Sequence, residues 1–448
     1  MDLRTRKLFD RSLTGVSVMA VALMALALAI LLAPIVARGL GAFFFRATSE
    51  FRRFNLEQFD RGDPRAVAAE TRAVAAARRP VYDMLAAFED ELAELDTSRR
   101  PALRKQLREV KEGLVELLGP PPGEIAAVML RQQYGQTRWD RARGKLAGIL
   151  FAVKWDYSDP SRMGRKVLVP RRSAFAGTRL EPLFPYLERN LKAMLRPRPV
   201  FYWRFLADRS LDSHFFGGIW PEILGTVYLT LGAMLLAIPF GVIAAVYLSE
   251  FAAAGRVVSL LRVCISTLAG VPSIVFGLFG LAFFINTLHL SRSKSVLAGS
   301  ATLALLILPT IIRASEEALK AVPRSYKEAA LSLGASPLRM VLTVLLPAAL
   351  PGILTGIIIS MGRAAGETAP IIFTAAVSVG QPLKLWETLS QPTPALPWNI
   401  YNLATEHQAV DEIRHVQFGM VLTLVLLVLL LNLAAILIRA RISKKMRG

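Results

Sequence analysis

The chain has 448 residues, 53% of them hydrophobic and 20% charged, with 54 Lys+Arg against 34 Asp+Glu for a formal net charge of +20. That average fits several soluble domains, but residues 217–448 carry only 17 basic and 10 acidic side chains, clustered between long apolar runs, which excludes a wholly soluble protein. The single cysteine, Cys264, lies inside an apolar run and excludes an intrachain disulfide framework or a Cys-rich metal site. The basic residues that flank apolar runs read as membrane-side anchors, not as a nucleic-acid surface.

A hydrocarbon core of about 30 Å needs roughly 20 apolar residues in a helix. The first such stretch is Leu13–Ala37, which carries no charge. Its length and the lack of a small-residue cleavage pattern predict a retained anchor, not a signal peptide. Residues 38–216 follow, with 33 basic and 22 acidic side chains, long enough for a core of their own. Within them Pro64–Leu118 is rich in Ala, Glu, Arg and Leu, with Leu85, Phe88, Leu92 and Leu95 at helical steps. Pro80 and Pro101 predict a division into about three helices, and Gly119–Gly123, with three prolines between the glycines, predicts a stiff linker. Leu146–Lys154 and Lys166–Val169 read as strands, so this region is expected to be a small α+β or mainly helical module. It shows no catalytic constellation, and a solvated spacer or docking surface is the plain reading. Its basic excess also fits a collar that concentrates an anion or an acidic partner. Gly217–Pro221 reads as an interface turn with Trp220 at headgroup depth.

Five further spans are predicted over Gly225–Leu248, Val257–Asn286, Ser295–Ile312, Leu350–Val379 and Val416–Ile438. With six spans, the tail before span one and the loops after spans two, four and six share one side and hold 16 basic residues, whereas the opposite short loops hold four: Arg292, Lys294, Lys384 and Arg414. The 16-residue side is expected to be cytoplasmic, with both termini inside and residues 38–216 outside. Long segments cross largely regardless of charge, so the basic excess of 38–216 does not oppose this.

Residues 313–347, between spans four and five, are the most informative stretch. Pro323 starts a helix carrying a stripe of Tyr326, Ala330 and Leu333, Gly334 is placed as its C-terminal cap, and Pro337 begins the helix that enters the membrane. A short, small-faced helix fixed at the end of a span suits a groove on another protein; an amphipathic connector is the bland alternative. Span five then holds two charges four residues apart, Arg363 and Glu367, predicted on one helix face near mid-bilayer. Each costs at least about 2.5–3.5 kcal/mol there unless it faces a polar cavity or its partner. A structural pair and a pathway pair are both open on the residues alone. Gly362 and Gly366 form a small-xxx-small step inviting a neighbouring helix, and Gly352 and Gly356 form another. His407 and His415, with Asp411 and Glu412 between them, match no metal-ligand spacing.

Glu328-Ala329-Ala330, Gly334 six residues after the Glu, and then Val344, Leu346 and Pro347 resemble the EAA signature of binding-protein-dependent ABC importer permeases, with Val344 in place of the commoner Ile. Gly362–Pro370 (GRAAGETAP), Ala269–Leu278 and Leu236–Gly241 resemble segments of the phosphate-specific transport (Pst) permeases. Thr368-Ala369-Pro370 together with Pro397–Tyr401 looks like the PstA type of the two paired subunits. The resemblance covers about residues 217–448; the region 46–216 looks like an extended form of the N-terminal region. It implies an all-α polytopic fold of the type I ABC importer permease class with six transmembrane helices. Tyr326, Glu328, Ala329, Ala330, Leu333 and Gly334 would then couple to a cytoplasmic ATPase, and Arg363, Glu367 and Thr368 would border the translocation path. The implied partners are a sister permease forming a heterodimer, two copies of the ATPase, a periplasmic phosphate-binding protein and membrane lipid. No nucleic acid, cofactor or metal is expected. The chain has no Gly-x-x-x-x-Gly-Lys-Ser/Thr loop, so ATP hydrolysis is assigned to a separate subunit and the chain is not read as an enzyme. Another oxyanion as cargo, or a membrane-anchored sensor or scaffold built on residues 38–216, are the alternatives.

Overall fold

The computed structural model describes residues 3–94, 100–123, 128–157, 164–253 and 255–447. They form two compact units, Phe43–Tyr202 and Met1–Ala42 with Trp203–Gly448. Hydropathy alone drew these borders at 37/38 and 216/217. The border moves because residues 203–219 fold onto the membrane unit: Phe205 is buried and its ring abuts Gly419.

The inserted unit is mainly helical. Strand β1 (Phe44–Ala47) opens it, and α2 (Ser49–Phe59), α3 (Pro64–Glu94), α4 (Arg100–Leu118), α5 (Leu130–Gln133) and α6 (Trp139–Leu150) follow. The hairpin β2 (Phe151–Asp156) and β3 (Arg165–Pro170) comes next, then α7 (Leu183–Leu195), and β4 (Arg198–Phe201), antiparallel to β1, closes the unit. Its core is large and apolar: Val81, Leu85 and Phe88 of α3, Val110, Leu114 and Leu117 of α4, Ile149 of α6, and Leu187, Leu191 and Met194 of α7. Leu92 joins them as the helical spacing predicted; Leu95 lies outside the described residues.

Two expectations for this unit need correction. Pro80 does not end a helix but lies within α3, so Pro64–Leu118 holds two helices and not three. A proline disrupts the turn before it, and here Tyr186 supports that turn from outside, its hydroxyl donating to the Ala77 carbonyl at 2.9 Å. Leu146–Leu150 is the last turn of α6 rather than strand; only Phe151 onward is extended. The carbonyls left over at two helix ends find a shared donor, since buried Arg78 donates to Leu118 at 2.7 Å and to Met194 at 3.1 Å while pairing with Glu50 at 2.9 Å. One cation thereby closes the ends of α4 and α7.

The membrane unit begins with α1 (Leu3–Gly39), which packs along the last helix of the chain. After the inserted unit and a short β5 (Ser210–Leu211) and β6 (Phe216–Gly217) ladder come α8 (Trp220–Val246), α9 (Arg256–Ala269), α10 (Ser273–Gly280), α11 (Val296–Lys320), α12 (Arg324–Ser332), α13 (Pro337–Met340), α14 (Leu346–Gly366), α15 (Ala369–Thr374), α16 (Leu396–Thr405) and α17 (Val410–Arg447). Single π-type turns prolong α8 over Tyr247–Phe251 and α10 over Leu281–Thr287, and a third over Val341–Leu345 joins α13 to α14.

Among the described residues five helices are long and apolar enough to span a bilayer: Leu13–Phe43, Trp220–Phe251, Val296–Lys320, Pro337–Gly366 and Val410–Lys444. The predicted third span is instead a bent pair, Arg256–Ala269 and Ser273–Thr287, meeting at 101°. Pro272 explains the break, since it forces the preceding residue out of the helical region and is itself extended, with ψ 138°. Counting the pair as one crossing gives six.

At the centre stands α11, packed against α8 and α14. Small residues set these contacts. A Cβ on Gly356 would lie 2.3 Å from the Ala314 Cβ, and one on Gly352 2.7 Å from that of Ala318, so α11 and α14 touch nearly backbone to backbone. The other step predicted for close packing does not act so. Gly362 has only ordinary contact with Asn432, and Gly366 meets nothing within 4 Å.

Candidate functional site

The two charges expected in span five lie where α14 stops. Span five was expected to run unbroken to Val379, but Glu367 leaves the helix with φ −74° and ψ 131°, and Pro370 sits in the first turn of the new helix α15. The predicted i,i+4 partnership survives this break, with Arg363 Nε donating to Glu367 Oε1 at 3.2 Å. The Arg363 side chain is 43% exposed and that of Glu367 18%. Thr368 is half-buried beside them, without a side-chain bond to the start of α15.

The break is inside the bundle. Glu367 lines a small cleft with Thr226 and Thr230 of α8, Leu303 of α11, Ala364 and Ala365 of α14, and Ala395 and Pro397 at the start of α16. Leu303 is seven residues from the first residue of α11, or about 10 Å along its axis at 1.5 Å per residue. Irregular backbone at such depth is tolerated where it borders a cavity, as Glu367 does here.

The cleft wall facing Glu367 is a seam between α8 and α16. Thr226 Oγ1 accepts from the Leu396 amide at 2.9 Å while donating to the Glu222 carbonyl at 2.8 Å. One turn nearer the start of α8, the wholly buried Glu222 carboxylate bonds His214 Nε2 at 2.9 Å and accepts from Asn399 Nδ2 at 3.2 Å. Its other oxygen, Oε2, has no hydrogen-bond partner among the described residues. Gly225 makes the seam possible, since a Cβ there would fall 2.0 Å from the Pro394 carbonyl oxygen. Sequence reasoning missed this knot. Glu222 looks like an ordinary acidic residue in a first helical turn, and nothing local ties it to Asn399, 177 positions away.

The loop predicted to couple folds as its punctuation dictates. Pro323 precedes α12 in extended conformation, and Gly334 takes φ +81°, which lets the Ala335 amide reach back to the Ala330 carbonyl at 3.1 Å. Ser336 caps α13, whose first residue is Pro337. Tyr326, Glu328, Ala329 and Leu333 are exposed, Leu333 by 89%. Ala330 is not on that face: it is buried with Val322, Met340 and Leu345, so the expected stripe of Tyr326, Ala330 and Leu333 is split between two sides of the helix.

Charge pairs secure this end. Lys327 reaches Glu250, in the π-type turn after α8, at 2.6 Å. Glu316 of α11 faces Arg262 of α9 at 3.2 Å and Lys320 at 3.8 Å. Neither Glu250 nor Glu316 stood out in the sequence, where both look like solvated loop charges. Among the described residues no group of three or more His, Cys, Asp or Glu side chains is arranged to hold a metal ion.

Comparison with known proteins follows the same part of the chain. Residues 237–448 match the family model described as binding-protein-dependent transport system inner membrane component. A probable ABC transporter permease protein, YqgI, of Bacillus subtilis is 33% identical over 54% of this chain and 85% of its own length. The phosphate transport system permease protein PstA 1 of Mycobacterium tuberculosis is 34% identical over 55% of this chain and 77% of its own, and the PstA protein of Yersinia pestis is 37% identical over 50% and 73%. The family match falls wholly within the membrane unit, from the later turns of α8 through α17, and the chain belongs to the family of binding-protein-dependent transport system inner membrane components.

Proposed function

We propose that the chain is one of two permease subunits of an ATP-driven importer of inorganic phosphate. It shares the path with a sister permease, takes cargo from a periplasmic phosphate-binding protein and is driven by two copies of a cytoplasmic ATPase, with no enzymatic activity of its own. The relatives named as phosphate transport permeases support the cargo. The observation that carries the reading is the Arg363–Glu367 pair at a helix break, with Glu367 lining a cleft inside the bundle.

A guanidinium offers a planar set of donors suited to an oxyanion. Without cargo, Glu367 occupies one of those donors, Nε; an entering phosphate competes for it and displaces the carboxylate, so a site selective for anions does not hold it permanently. Coupling runs through contacts that adjoin one another. The exposed face of α12 docks on the ATPase, Lys327 transmits its motion to Glu250 at the end of α8, and α8 carries Thr226 and Thr230 to the cleft. With the bent pair as a crossing, α12 and both termini lie in the cytoplasm and the inserted unit in the periplasm, an arrangement that the basic loops support.

The test is Arg363→Gln in the assembled transporter. Uptake of labelled phosphate falls about ten-fold or more, a loss of about 1.4 kcal/mol in the limiting step, while the subunits still co-purify. Undiminished uptake would place the path elsewhere, and loss of assembly would make the pair a packing element. Uptake of labelled sulfate or molybdate in preference to phosphate would transfer the same site to another oxyanion.

A further inference from the structure

The β2–β3 hairpin of the inserted unit is inside out. Its register pairs Phe151 with Pro170, Val153 with Leu168 and Trp155 with Lys166, and alternation puts these six side chains on one face. That face is open: Val153 is 56% exposed, Trp155 51% and Leu168 64%, and Tyr157 just beyond β2 is exposed too. The half-buried residues, Ala152 and Val169, are on the opposite face. Lys166 Nζ lies 5.0 Å from the Trp155 ring centre on this same face. In the described residues these two strands form a sheet by themselves. Two strands alone are marginal in water, and an open apolar ladder of this kind marks an interaction surface.

We propose that this face binds a bilayer surface carrying anionic headgroups. Three observations favour that occupant. Aromatic side chains interleaved with lysine match the chemistry of the membrane interface, where rings sit at headgroup level and ammonium groups reach the phosphates. Residues 43–202 carry 30 Lys+Arg against 20 Asp+Glu, which attracts an anionic surface and opposes pairing with a second copy of the same face. The unit is also tethered at both ends. Phe43 ends the candidate span Leu13–Phe43, and only residues 203–219 separate Tyr202 from the span that begins at Trp220, so the hairpin meets a bilayer at high effective concentration and weak affinity suffices. An acidic protein would answer the charge but not the apolar ladder.

The experiment uses the full chain with Cys264→Ser and a single Val153→Cys carrying an environment-sensitive fluorophore, in nanodiscs of phosphatidylcholine with or without phosphatidylglycerol. A second protein labelled at Arg108→Cys, on exposed α4, reports the unit away from the hairpin. With phosphatidylglycerol present, brominated acyl chains quench the Val153 label by half or more and its emission shifts to the blue, both effects are lost in high salt or pure phosphatidylcholine, and the Arg108 label is unchanged. Because the lipid is varied and not the protein, misfolding does not mimic the result. A Val153 label that stays solvent-like in every lipid overturns the proposal, as does quenching that ignores headgroup charge and salt, or a blue shift that appears only on adding a soluble protein.

Discussion

The two units of this chain hold themselves together by different means. The inserted unit buries large side chains, with Phe54, Phe88, Phe175, Leu187 and Met194 almost fully enclosed, and closes its polar ends with arginine, as Arg78 does for two helices and Arg52 does for Glu70. The membrane unit is built on absence of side chain: Gly225, Gly299, Gly352 and Gly356 admit neighbouring backbones or methyl groups at distances that no Cβ would allow. The reason is the solvent. In water, removal of apolar area is the driving force and volume is rewarded. In lipid, apolar side chains gain little by leaving the tails, and close van der Waals approach with shared hydrogen bonds does the work. Polar side chains in the membrane unit cluster with one another, as at His214–Glu222–Asn399, or sit beside the cleft, as at Arg363–Glu367.

That contrast is breakable. The largest effect is expected at Gly225. Gly225→Val would push against a backbone carbonyl, not a flexible side chain, and the yield of monodisperse protein in detergent should collapse. Gly366→Ala, which meets nothing within 4 Å, should leave the yield unchanged; equal outcomes at the two sites would end the claim that backbone approach organises the bundle. Next is Phe88→Ala in the inserted unit, with an expected loss of about 3–5 kcal/mol, seen as an earlier unfolding step for residues 43–202 in a thermal melt followed by limited proteolysis. If the whole chain melts in one step, the two units are a single cooperative body and the comparison fails.

The smallest effect is at Glu70. Burial alone would raise its pKa, but the hydrogen bonds and charge of Arg52, with the charges of Arg198 and Arg196, leave it below the ordinary glutamate value. A carboxyl depressed in the folded state stabilises the fold above its unfolded pKa, and that contribution fades as pH falls through the folded value. Glu70→Gln should therefore cost about 1.5–3 kcal/mol near neutral pH, the range for hydrogen bonds to charged groups. The gap to the parent should close in acid below the ordinary glutamate range, as measured by unfolding at stepped pH.

Much of the site was legible because it is governed locally. Pro323, Gly334 and Pro337 punctuate the α12 loop through steric rules that act within a few residues, and the observed caps follow them. The Arg363–Glu367 bond followed from helical spacing alone. What escaped was non-local. Pro80 stayed within a helix because Tyr186, 106 positions on, braces its turn. Ala330 turned inward because Val322 and Met340 wait for it on the α13 side. Glu222 became part of a buried knot only when α16 was laid against α8.

Hydropathy and loop charge thus determined by themselves that the chain crosses a membrane several times around one inserted unit, since the transfer of apolar helices into lipid depends on composition and length and not on neighbours. Where α14 stops was decided by tertiary structure. The same Gly366-Glu367-Thr368 could continue a helix or leave it, and the choice fell to a cleft whose other walls come from α8, α11 and α16.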